Sequence, residues 1–84
     1  MDKEELLEEM TLHVQRFNNW LQDEMEEANV IKDQQLLILK NPKASKIDKE
    51  IADTEWKLAV SRYHTIMGIK EHFQWICLKL GVKF

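Results

Sequence analysis

An all-α antiparallel two-helix hairpin is the fold class this sequence predicts, and three observations predict it. Two long stretches repeat apolar residues on alternating steps of three and four. One segment, Asn41-Pro42-Lys43-Ala44-Ser45, is the only strong punctuation between them. The 84 residues include two glycines and one proline, too few for an all-β fold, which needs a breaker every ~8–12 residues.

Helix 1 is expected over about 3–40. Asp2 with Glu5 makes a capping arrangement at its start. Pro42 disfavours helical geometry for Asn41, so the helix should stop near Lys40. Residues 41–45 form the turn. Ser45 with Asp48 caps helix 2, expected over about 46–80, and Gly81 suits its C-terminal cap. Each helix is then roughly 35 residues, or about 55 Å long. Helices of that length persist in water only with a packed face. The whole chain reads as one helical-hairpin domain.

The packed face is predicted as a coiled-coil seam. On helix 1 it runs through Leu7, Met10, Val14, Phe17, Leu21, Glu24, Ala28, Ile31, Gln35 and Ile38. On helix 2 it runs through Ala52, Glu55, Ala59, Arg62, Ile66, Ile69, Phe73, Ile76 and Leu80. Folding at the turn pairs Leu7 with Leu80, Met10 with Ile76, Val14 with Phe73 and Phe17 with Ile69. It also pairs Leu21 with Ile66, Glu24 with Arg62 and Ala28 with Ala59. The one acid in the seam of helix 1 thus meets the one base in the seam of helix 2, which marks Glu24 and Arg62 as a register-setting polar pair. On a flank of this seam, Lys32 falls opposite Trp56 and Met25 opposite Tyr63.

Closing that seam leaves much apolar surface uncovered. A buried large side chain contributes ~1.5–3 kcal/mol, so a dozen left in water is a forgone gain and an aggregation hazard. Trp20, Leu58, Met67, Trp75 and Leu78 are the predicted partner-binding residues. The expected remedy is a homodimer forming a four-helix bundle, or docking on another helical protein. Gly68, inside helix 2, costs ~1 kcal/mol against alanine; a close helix approach beside Met67 would explain it, and so would simple tolerance of the glycine.

Charge and composition narrow the function. The chain is 44% hydrophobic and 32% charged, with net charge −3, too apolar for a disordered tail. Residues 1–30 hold nine acids and two bases, net −7; residues 31–84 hold six acids and ten bases, net +4. Halves of opposite sign favour antiparallel docking. No apolar run approaches ~18 residues, so no membrane span is expected. The acidic start Asp2-Lys3-Glu4-Glu5 lacks a signal-peptide h-region. The single cysteine excludes an internal disulfide, so a reducing, cytoplasmic setting is expected.

Little in the sequence points to catalysis. It has no glycine-rich phosphate loop, nucleophile elbow or CxxC motif, and no catalytic residue and no cofactor are expected. His13 and His72 should be neighbours across the hairpin, but the further ligands a metal needs are missing, so no metal is assigned. Cys77, in Trp75-Ile76-Cys77-Leu78, reads as a packed thiol.

The function predicted is therefore a non-enzymatic protein–protein interaction module: a small adaptor, regulator or inhibitor presenting an apolar helical face. Two alternatives follow from other features. Lys40, Lys43, Lys46 and Lys49 make a basic tip that would contact phosphates of nucleic acid. Polar seam residues would line a ligand or metal site between helices.

Overall fold

A computed structural model describes residues 2–83 and contains α1, Lys3–Lys40, and α2, Lys46–Leu80. The expected hairpin is present. Contacts between the helices pair Asn18 with Gln74, Gln22 with Lys70 and Glu24 with Arg62, so one chain direction descends as the other climbs. The rod measures 63 × 17 × 13 Å. No helix among the described residues is long and apolar enough to cross a membrane.

Side chains and backbone geometry close every helix end. Asp2 Oδ1 accepts from the Glu5 N–H at 2.8 Å, and Ser45 Oγ accepts from the Asp48 N–H at 3.1 Å. These satisfy donors that the first helical turn leaves orphaned. At the reversal, the Ala44 N–H donates to the Asn41 carbonyl at 3.2 Å, and the Lys43 N–H donates to Asn41 Oδ1 at 3.0 Å. This is a turn seeded by an asparagine side chain, with Pro42 barring helix continuation.

At the far end Gly81 adopts φ 72°, in the left-handed region. Its N–H donates to the Leu78 carbonyl at 3.3 Å, and the Val82 N–H donates to the Cys77 carbonyl at 2.9 Å. Those two bonds make a Schellman cap, and its apolar clasp is Val82 on Cys77. Both residues are buried, which gives the predicted packed thiol a physical role.

The core is a thin strip. Its apolar members are Leu21, Met25, Ala28, Ala52, Ala59, Cys77 and Val82. Three of them are alanines, which bring the backbones close but bury little area.

The seam is rotated from the one the sequence suggests. The central columns, Val14, Leu21, Ala28 and Gln35 on α1 with Ala52, Ala59, Ile66 and Phe73 on α2, lie inward as expected. The second column differs. Asn18, Met25, Lys32 and Leu39 on α1, with Lys49, Trp56, Tyr63, Lys70 and Cys77 on α2, are buried or half-buried. The expected Met10, Phe17, Ile38, Ile69 and Ile76 are exposed, as are Leu7 and Leu80. The groups read as a flank, Met25 and Tyr63, Lys32 and Trp56, are therefore part of the true seam.

Each helix has an apolar central column flanked by a more apolar column on one side and a mixed polar and apolar column on the other, and one helix–helix contact buries the central column with only one flank. The inner choice is stabilised by polar tips that find partners. Lys70 Nζ donates to Gln22 Oε1, Gln74 Nε2 donates to Asn18 Oδ1 at 3.1 Å, and Lys32 Nζ sits 5.6 Å from the Tyr63 ring centre. Long stems pack while their heads remain near water.

Candidate functional site

Rotation of the seam gathers the unused column on one face of the rod. With a seven-residue repeat, residues 10, 17, 24, 31 and 38 of α1 share a side, and residues 6, 13, 20, 27 and 34 lie beside them. On α2 the same side holds 55, 62, 69 and 76, flanked by 51, 58, 65, 72 and 79. This outer face carries exposed Leu6, Met10, Phe17, Trp20 and Ile38 from α1, and Ile51, Leu58, Ile69 and Ile76 from α2.

Aromatic rings organise its free-end half. Phe17 meets Phe73 edge to face with centroids 4.7 Å apart, and Trp20 stacks on Phe17 at 6.0 Å. Beside them lies an open recess of about 500 Å³, lined by Phe17, Thr65, Gly68, Ile69, His72, Phe73 and Ile76. A Cβ placed on Gly68 would meet nothing within 4 Å. Of the two readings of Gly68, a close approach is absent within the hairpin, and the glycine stands at the wall of this recess.

Charge occupies the middle of the face. Arg62 donates to Glu24 Oε2, and its same nitrogen lies 3.3 Å from Glu27 Oε2. The Glu24 hydrogen bond, then the nearby carboxylate charges, raise the Arg62 guanidinium above its ordinary value despite partial desolvation. A raised base contributes stability below its ordinary pKa and loses it only in strong alkali, so Arg62 itself adds no pH dependence near neutrality. A second, smaller recess of about 120 Å³ adjoins the pair, lined by Ile31, Glu55, Leu58, Ala59 and Arg62.

The predicted partner-binding residues divide. Trp20 (55% exposed) and Leu58 (60% exposed) belong to the outer face. Trp75 is exposed at its edge, stacked on His72 at 6.0 Å with Lys79 Nζ 4.9 Å from its ring centre. Leu78 is exposed near the Gly81 cap and lines a recess with Gly81, Val82 and Lys83. Met67 is half-buried on the opposite side of α2. The sequence reading missed Phe17, Ile69 and Ile76 as surface residues, because it spent them on the seam.

The four tip lysines surround the turn. Lys40, Lys43 and Lys46 are exposed, while Lys49 is half-buried and lines a recess with Lys46, Glu50 and Asp53. His13 is exposed and His72 lines the aromatic recess. Among the described residues, no group of three or more His, Cys, Asp or Glu side chains converges as a metal site would need. No family model, curated protein or solved structure matches this chain.

Proposed function

We propose that this chain is a non-enzymatic interaction module, an adaptor, regulator or inhibitor, that docks a helical partner on its outer face. One observation carries the reading: more large apolar side chains lie outside the hairpin than inside it. Seventeen are exposed among the described residues, whereas the only large side chain fully buried is Leu21. Scattered exposed leucines are ordinary, but nine of the seventeen share the outer face, in two apolar stretches on either side of the central charges, and such clustering at helical spacing is the pattern of a helix-packing surface.

The mode of binding follows from the residue types. Trp20, Phe17 and Leu58 supply wide apolar anchors, and the Glu24–Arg62–Glu27 cluster orients the partner through charge. The recesses are open and mainly apolar, which suits side-chain insertion better than enclosure of a reacting molecule. The basic tip is diluted by Asp48, Glu50 and Asp53, so phosphate contact is the weaker reading.

The test is a paired substitution, Trp20→Glu with Leu58→Glu. Both side chains are exposed in the hairpin, so helicity by circular dichroism should be retained while sedimentation shows the loss of complexes formed by the unmodified chain. Complexes that survive the double substitution unchanged would refute the outer face as the binding surface.

A further inference from the structure

We infer that the occupant of the outer face is a helix of a different protein, one that carries a large apolar side chain and, eleven residues along, a lysine or arginine. This rests on the outer face being the binding surface, and it adds the chemistry of the partner.

The unmet charge on the face is negative. Between Trp20 and Ile31 on α1, and between Glu55 and Thr65 on α2, the outer columns hold Glu24, Glu27 and Glu55 against Arg62, net −2. At the rim Asp23 adds to the excess, and Arg16, two turns nearer the free end, offsets it. Arg62 already donates to Glu24 and lies beside Glu27. Glu55 is exposed and makes no ion pair among the described residues. In water its charge is well solvated. A helix laid along the face strips that water, and an excess carboxylate so covered is costly unless the covering surface brings a base. Charge complementarity therefore places a cation opposite Glu55.

Two recesses set the spacing. The aromatic recess, about 500 Å³ and walled by Phe17, Phe73, Ile69 and Ile76, has room for a ring or a branched aliphatic chain. The second, about 120 Å³, is narrower and has Ile31, Leu58 and Ala59 on its walls, with Glu55 and Arg62 beside them. That lining suits a long basic side chain, whose stem lies on the apolar wall while its head reaches the carboxylate. Ile69 and Leu58, one in each recess, are eleven residues apart on α2, about 17 Å at ~1.5 Å per residue. Eleven residues are close to three whole turns, so positions i and i+11 of a straight partner helix share one face and enter both recesses.

The same charges disfavour a second copy of this chain. Stacked the same way round, two outer faces superpose their acidic stretches. Stacked head to tail, α1 lies on α1 and Glu24 approaches the second copy's Glu24. In both arrangements each copy brings more acid than base to this part of the face.

The probes are synthetic amphipathic helices of about 25 residues, built on alanine and leucine, with phenylalanine and lysine eleven residues apart in either order. Binding to the full chain is followed by fluorescence anisotropy. The order that fits should bind with a Kd at or below ~100 µM. Replacing its lysine by glutamate should weaken binding about tenfold at low salt, and Glu55→Lys in the protein should reverse that preference. Moving the lysine two residues on, to the far side of the peptide, should abolish the preference at unchanged net charge. Glu55 is exposed, so helicity of the variant by circular dichroism should match the unmodified chain. Equal binding of the lysine and glutamate peptides, or a preference that persists in Glu55→Lys, overturns the basic partner. If that binding is lost with Trp20→Glu and Leu58→Glu, the docking face still stands. Failure of every peptide, with twice the single-chain mass in light scattering that falls to one chain on the same two substitutions, makes a second copy the occupant and again overturns only the basic partner. Failure of every peptide with a single-chain mass removes both readings.

Discussion

Arg62 on α2 donates to Glu24 on α1, and the same Arg62 nitrogen lies 3.3 Å from Glu27, so one base ties two carboxylates a turn apart on the facing helix. The pair was expected inside the seam and instead sits on its outer shoulder, partly open to water. Position changes its role. Screening by water limits what it adds to the hairpin, while a docking partner would desolvate it.

A double-mutant cycle measures this. Arg62→Leu alone should destabilise, because it strands two carboxylates beside each other. Adding Glu24→Leu should recover stability and lengthen the apolar row. Thermal melts at one fixed concentration check the coupling, since self-association would make melting concentration-dependent. Strictly additive effects would separate the two residues energetically.

Leu21 provides the calibration of the core. It is 1% exposed, whereas Leu37 is 71% exposed. Leu21→Ala should cost about 2–5 kcal/mol in denaturant unfolding, and Leu37→Ala should stay within about 0.5 kcal/mol. Comparable losses at both sites would contradict the inward column on α1.

Trp56 holds an imperfection. Its ring packs in the true seam, yet its indole N–H is buried with no hydrogen-bond partner. An orphaned buried donor costs about 1–3 kcal/mol. Trp56→Phe removes the donor and keeps an aromatic ring, so stability should hold level or rise by about 1 kcal/mol. A fall of more than ~2 kcal/mol would mean that the indole's size outweighs its unpaired N–H.

Gly68→Ala separates hairpin stability from docking. A Cβ there meets nothing within 4 Å, so the helix-propensity gain of up to ~1 kcal/mol should appear in full. The same methyl shallows the recess beside Phe17, so association should weaken as stability rises. Stability that falls instead would reveal a close neighbour at Gly68, and unchanged association would take the recess out of the interface.

The sequence by itself determined the helices and their reversal. Those signals are local: Asp2 and Ser45 at the caps, Pro42 after Asn41, Gly81 in the left-handed position, each acting within one turn of backbone. It also determined that apolar residues exceed what two helices hide, since that follows from counting columns. Which column would be hidden was decided only in the tertiary structure. Periodicity is equally satisfied by Phe17 and Ile69 inside or by Asn18 and Lys70 inside, and hydropathy favours the former. The fold chose the latter because Lys70 reaches Gln22 and Gln74 reaches Asn18, pairings between residues far apart in sequence. A one-column rotation of both helices moved the greasier stripe to the surface and, with it, the face on which the proposed function rests.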